Sequence, residues 1–352
     1  MTELVQLLTP EGERLDHPDY PLDLTAGQIQ ELFRDMVLAR RLDTEAMALQ
    51  RQGELGLWVP LLGQEAAQVG AARALVSADY VFPSYREHAI AMVRGVTVAE
   101  LLKNWRGVDH GGWDAEKVRM ALYAIVIGAQ TLHAVGYAMG VQRDGAEEAV
   151  LACFGDGASS QGDVNEAFVW AGAQNAPVVF FCQNNQWAIS ARLETQTRVP
   201  LYRRGFGYGF PGVRVDGNDV FASLAVTRTA LERARAGEGP TLIEAFTYRM
   251  SAHTSSDDPT RYRTGAELEA WRLKDPIERV RAYLSRNGLA DADFFASVDA
   301  DAEALGRQVR EDCRALPDPE PQAIFEHVYA GEHEQLAEER AAYHAYLDGF
   351  AG

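Results

Sequence analysis

At 352 residues, with 47% hydrophobic and 24% charged residues, the chain has the make-up of a soluble globular protein that can bury a sizeable core as one large or two smaller α/β domains. Its formal net charge of −18 argues against nucleic acid or an anionic membrane as the main partner, and no segment reaches the ~18 consecutive apolar residues needed to cross a bilayer. Cys153, Cys182 and Cys313 have no metal-type spacing, and Cys153 and Cys182, in apolar strand runs, read as reduced core thiols. With no signal-peptide core or Arg-rich transit pattern near the N-terminus, the expected compartment is the cytoplasm.

Residues 1–23 read as an extended lead-in with turns at Pro10-Glu11-Gly12 and Pro18. Thr25 caps a predicted helix to about Gln52, on which Ile29, Leu32, Phe33, Met36, Val37 and Leu42 recur at helical spacing. A helix rich in small residues follows over Gly63–Leu75, then a short strand at Tyr80-Val81-Phe82 and a helix over Val96–Trp105. Gly107–Trp113 is a glycine-bearing loop, and Ile127–Val141 a helix rich in Gly and Ala. Apolar strands at 149–154 and 177–182 flank a helix from about Gly162 to Gln174. Strands at Val213–Gly217 and Thr241–Tyr248 flank a helix from Asp219 to about Ala236. This alternation predicts a doubly wound, mainly parallel α/β sheet flanked by helices. Asp257–Thr264 is a polar loop before a helix through Trp271, and residues 276–352 form a helical extension of the domain spanning 24–275.

The densest chemical signal is Gly155-Asp156-Gly157 after one apolar run and Asn184-Asn185 after the next, with Asn185 lying 29 residues beyond Asp156. Parallel strands joined by a helical crossover bring both ends to one sheet edge, where open α/β folds bind ligands. A carboxylate and a carboxamide there suit a hard divalent cation completed by a diphosphate, and the glycines allow close approach to phosphate. The run GDGASSQGDVNEAFVWAGAQNAPVVFFCQNN resembles the thiamine diphosphate fingerprint. From about Leu24 to Pro317 the chain is similar to the alpha subunits of the decarboxylating first component of 2-oxoacid dehydrogenase complexes.

The resemblance implies thiamine diphosphate and Mg²⁺ as cofactors. Asp156, Asn185 and the backbone carbonyl of Trp187 are the implied metal ligands, while Asn184 supports the turn. Gly155, Gly157, Ala158 and Ile189 join the cofactor set. Arg86, beside Tyr85, is the implied diphosphate-binding arginine, a role suited to bidentate pairing. His253 is the implied active-site histidine, on a loop ordered by Arg249 and Asp257. Ile125 and Ile127 belong to the run whose backbone holds the aminopyrimidine bent, and Leu57, Trp58 and Tyr85 fall where the family builds an apolar substrate pocket.

The chain also departs from that pattern. Arg106–Trp113 lacks the Gly-x-Met-Pro-x-His motif of many relatives, leaving His110 as a candidate substitute. Gln183 stands where some relatives place a second phosphate-binding arginine, and Ala124 and Ala129 replace the hydroxyls of a potassium site, so no potassium is expected. Thr254, Ser255 and Ser256 could carry a phosphate that would repel the diphosphate.

The family further implies a beta subunit that supplies a catalytic glutamate, an α₂β₂ heterotetramer, and a lipoylated dihydrolipoyl transacylase as acyl acceptor. The Gly63–Ala72 and Gly128–Gly140 helices suit close packing either between or within subunits. Branched-chain 2-oxoacids such as 2-oxoisovalerate are the expected substrates, ahead of pyruvate and acetoin. A non-catalytic assembly subunit and a flavodoxin-like nucleotide-binding module are readings from other classes. Intact Asp156, Asn185, Arg86 and His253 argue against the first, and the second does not require Asn-Asn at a strand end.

Overall fold

The computed structural model describes residues 4–109 and 111–350. Strands β1 (Tyr80–Phe82), β2 (Val150–Gly155), β3 (Val178–Asn184), β6 (Gly212–Asp216) and β7 (Thr241–Phe246) form one sheet; β4 (Trp187–Ala188) and β5 (Ala191–Arg192) pair as a separate small hairpin. The sheet order is β1-β2-β3-β7-β6 and every neighbouring pair is parallel. The C-terminal ends of all five strands therefore share one edge.

The expected mainly parallel α/β sheet is present. β2 and β3 are buried along their length, as strands covered on both faces must be. Their side chains alternate: Val150, Ala152 and Phe154 pack with Val178, Phe180 and Cys182 on one face, and Leu151, Cys153, Val179 and Phe181 lie in the core of the other. Each large apolar side chain so buried stabilises the fold by roughly 1.5–3 kcal/mol. The first face is covered by helices Ala129–Asp144 and Gly162–Gln174, the second by helices that include Glu65–Ala74 and Val220–Arg235.

Local sequence explains the helix ends. Thr25 and Gln28 form a reciprocal capping box that starts Ala26–Arg51, and Thr97 with Glu100 does the same for Val98–Arg106. The helix expected from Ile127 begins at Ala129, because Gly128 adopts φ +87 and breaks the helical path.

Nearly every residue of the Glu65–Ala74 helix is buried within the chain. A Cβ on Gly70 would meet Ser223 Cβ at 2.6 Å and the Val220 carbonyl at 2.9 Å, so that small-residue face packs internally. The second small-residue helix differs: nothing lies within 4 Å of a Cβ built on Gly136 or Gly140.

The lead-in is tied to the sheet and to the helices beside it. Val5 bonds to both neighbours of Val215, at the outer edge of β6. Asp219 Oδ2 accepts from the backbone N–H groups of Leu7 and Leu8 at 2.6 Å, while its Oδ1 caps the Val220–Arg235 helix. Buried Arg279 donates to the Leu8 carbonyl at 2.9 Å and to Asp216 at 2.8 Å. The C-terminal stretch is helical at Pro276–Arg286, Ala292–Ala315 and Glu334–Asp348, but its Pro-rich 317–333 interval holds only a 3₁₀ turn at Pro321–Phe325. Further differences include a short His88–Val93 helix, the β4–β5 hairpin and single-turn helices such as Ala115–Val118, all too short to show a period in the sequence.

Candidate active site

The shared edge of the sheet opens into a cavity of about 240 Å³. Four of its wall segments follow strands, and Gln64 with residues from Ala124 to Gln130 complete it. Ser84 to Glu87 come after β1, Asp156 to Ala158 after β2, Asn185 to Ile189 after β3, and His253 beyond β7. Of the expected site residues, Tyr85, Arg86, Ile127, Gly155, Asp156, Gly157, Ala158, Asn185, Trp187, Ile189 and His253 line this one cavity.

Leu57, Trp58 and Ile125 do not. Trp58 is fully buried, its ring stacked on His88 at 4.3 Å and its Nε1–H donating to Asp43 at 2.7 Å. Leu57 is half-buried against the core, and Ile125 is 57% exposed outside the wall. An apolar pair and an apolar run look the same in sequence whether they face a core, a ligand or solvent. His110 lies outside the described residues.

Asp156 is buried at the end of β2, where burial raises its carboxyl to about 6; Gln196 Nε2 donates to its Oδ2 at 3.0 Å. Asn185 Oδ1 accepts from the Trp187 N–H at 3.2 Å, while Asn185 Nδ2 donates to Gln64 Oε1 at 3.1 Å. Asn184 turns away from the cavity: its Nδ2 donates to Glu244 at 2.7 Å and its Oδ1 accepts from the Gln186 N–H. That is the turn-supporting role expected of it. Gln183 Nε2 donates to Glu87 and Gln183 Oε1 accepts from Gln68, so its amide serves the wall's own network.

Arg86 is buried and donates to the carbonyls of Pro60 and His253, the latter at 3.1 Å. Arg249, fully buried, donates to the Trp187 carbonyl at 3.2 Å, the Ile189 carbonyl at 2.7 Å and the Tyr262 hydroxyl at 2.7 Å. Burial first, then the Arg86 and Arg249 guanidiniums, push His253 down to about 3, leaving a neutral ring. Asp257 accepts from the His253 N–H at 2.8 Å and from the Tyr262 hydroxyl, which orders the loop from its far side. Ser255 Oγ accepts from the Trp58 N–H at 3.0 Å, tying this loop to the segment before Leu61.

The donor set expected of Asp156, Asn185 and Trp187 would be one carboxylate, one carboxamide and one backbone carbonyl. Among the described residues no group of three His, Cys, Asp or Glu side chains could hold a metal alone. Such a set suits a hard cation whose remaining positions are filled by a bound anion and water. Three wall residues carry buried polar atoms without partners, Gln64 Nε2, Gln130 Oε1 and Trp187 Nε1; the two amides are what a wall built around a polar ligand would leave. A Cβ on Gly157 would lie 2.8 Å from Ala188 Cβ, so glycine alone fits that close approach. These residues fit a metal-bound diphosphate. Gln64, Glu87, Gly128 and Gln130 escaped the sequence reading, since a polar residue at a helix start or after a strand carries no periodic signal.

A parallel sheet whose strand ends gather this oxygen-donor set defines a cofactor-dependent α/β enzyme. The chain belongs to the dehydrogenase E1 component family, whose model matches residues 33–321. It is 46% identical over 329 residues, 93% of this chain and 90% of the relative, to the 3-methyl-2-oxobutanoate dehydrogenase subunit alpha of Mycobacterium tuberculosis (strain ATCC 25618 / H37Rv). It is 38% identical over 343 residues, 97% of this chain and 92% of the relative, to the pyruvate dehydrogenase E1 component subunit alpha of Staphylococcus aureus (strain Mu50 / ATCC 700699). The corresponding Staphylococcus epidermidis protein is 41% identical over 293 residues, 83% of this chain and 79% of that protein. No helix among the described residues is long and apolar enough to cross a membrane.

Proposed function

We propose that this chain is the alpha subunit of a thiamine-diphosphate- and Mg²⁺-dependent 2-oxoacid dehydrogenase acting on branched-chain 2-oxoacids. The observation that carries the reading is the convergence of Asp156, Asn185, Trp187, Arg86 and His253 on one cavity. The branched-chain assignment draws on the 46% identity to the mycobacterial 3-methyl-2-oxobutanoate dehydrogenase subunit, against 38% to the staphylococcal pyruvate enzyme.

In this reading the Asp156 carboxylate, Asn185 Oδ1 and the Trp187 carbonyl hold Mg²⁺. Arg86 and His253 face the diphosphate, and Ile127 supports the organic end of the cofactor. Bound thiamine diphosphate supplies the electron sink for breaking the bond between a 2-oxoacid's carbonyl carbon and its carboxylate. The chain's own part is to fix the anionic head, orient the cation ligands and hold the loop around His253. Among the wall carboxylates, Glu87 is tied to Ser84 and Gln183, and Asp156 serves the metal. The resemblance implies that the glutamate for the aminopyrimidine comes from a beta subunit.

A beta subunit suits that need. Ile127 and Ile189 line the cavity yet are 39% and 55% exposed, and Ile125, Val126, Val169 and Trp170 are exposed large apolar side chains on nearby segments. A surface of this kind fits a covering partner, consistent with an α₂β₂ assembly that passes its acyl group to a lipoylated transacylase.

The test is decarboxylation by the chain co-expressed with its beta partner, with 2-oxoisovalerate and pyruvate as rival substrates and Asp156→Ala as control. Faster turnover of 2-oxoisovalerate, lost in the variant, is expected. A pyruvate preference would keep the chemistry and overturn the substrate. No turnover and no bound cofactor would overturn the reading.

A further inference from the structure

Gln64 directly precedes the Glu65–Ala74 helix, is fully buried and forms part of the cavity wall. Its amide orientation follows from its neighbours. The Trp187 N–H can only donate, so the Asn185 atom 3.2 Å away is Oδ1. Asn185 Nδ2 then faces Gln64 at 3.1 Å, and the Gln64 atom it meets must be the acceptor, Oε1. What remains is Nε2, a donor with two N–H groups and no acceptor.

Its surroundings do not use it. The next residue, Glu65, is spent on the Gly63 N–H and on Arg40. Arg86 gives its bonds to Pro60 and His253, and the Gln183 amide is committed to Glu87 and Gln68. Native interiors rarely leave a buried donor unmatched unless a ligand or water completes it.

We propose that Gln64 is a further cofactor-binding residue: its Nε2 donates to an oxygen of the anionic diphosphate, while its Oε1 holds Asn185 with Oδ1 turned to the cation. This inference rests on the cofactor reading above. One amide thus couples the two halves of the head group, fixing a metal ligand by its acceptor and the anion by its donor. The Asn185 and Gln64 orientations are mutually determined, so a change at Gln64 reaches both.

The experiment uses the full-length chain assembled with its beta partner. Thiamine diphosphate and inorganic pyrophosphate are each titrated with Mg²⁺, following tryptophan quenching, beside the thermal midpoint of the unliganded assembly. Gln64→Met, of similar volume and without polar atoms, is expected to weaken both ligands about tenfold or more, as loss of a hydrogen bond to a charged group does, with the unliganded midpoint lowered only modestly by the lost Asn185 bond. Gln64→Glu keeps an acceptor toward Asn185 but sets a carboxylate where the donor stood, so it should weaken both ligands further.

Wild-type affinity in Gln64→Met overturns the proposal. So does a Gln64→Glu variant that binds as tightly as wild type, since the acceptor alone would then suffice. If Gln64→Met fails to assemble, Gln64→Glu decides alone by the same criterion. A wild-type assembly that binds neither ligand overturns the cofactor reading itself, an outcome distinct from any change confined to the variants.

Discussion

Arg249 Nη1 donates to the carbonyl oxygen of Trp187 at 3.2 Å, joining the end of β7 to the hairpin that follows β3. The same guanidinium reaches Ile189 and Tyr262, so one buried side chain ties the proposed metal-binding carbonyl to the loop that carries His253. Arg249→Ala leaves three acceptors without their donor. Turnover should fall about 10–100-fold, the usual cost of removing a group that orients metal ligands. Hydrogen exchange over residues 249–263 should speed up, and Arg249→Lys should restore little, because an ammonium lacks the planar fork. Unchanged exchange and turnover would remove Arg249 from this role.

The Glu65–Ala74 helix meets the Val220–Arg235 helix through Gly70, with backbone on the facing side. Gly70→Ala should therefore destabilise the fold by about 1–3 kcal/mol, read as a lower thermal midpoint. Gly136→Ala is the contrast, since a Cβ there meets nothing within 4 Å of this chain. Its helix propensity should leave stability equal or slightly higher. Equal losses in both variants would contradict the packing described.

Asp43 is fully buried, accepts from Trp58 Nε1 at 2.7 Å and from the Leu61 N–H at 3.0 Å, and is pushed up to about 7 chiefly by burial. The folded state holds this proton more tightly than the unfolded chain. The associated stability is thus full below the ordinary carboxylate range and is lost as pH rises through about 7. Asp43→Asn should match wild type near pH 4 and exceed it by up to about 4 kcal/mol at pH 8, in denaturant titrations at both pH values. A constant difference across that range would argue against a protonated Asp43.

Trp58 lies in the core rather than on the cavity wall, packed on His88 and edge-on to Trp105. Trp58→Phe should lower the thermal midpoint while leaving the relative turnover of 2-oxoisovalerate and pyruvate unchanged. A shift in substrate preference with no loss of stability would return Trp58 to a specificity role.

The sequence by itself determined the alternation of strand and helix and the two polar clusters at strand ends, because both are local. The apolar runs of β2 and β3 report strands covered on both faces, and Thr25 and Thr97 report their own helix starts. Parallel pairing then obliges Asp156 and Asn185 to share an edge, whatever the side-chain details.

Tertiary structure alone decided which apolar and polar residues reach the cavity. Trp58 and Ile125 carry the same kind of local signal as Ile127, yet the first packs on His88, the second faces outward and only the third lines the wall. Gln64 has no pattern at all; its position depends on a hydrogen bond to Asn185, 121 residues along the chain. Such assignments follow from how distant segments meet, and spacing along one segment carries no record of that.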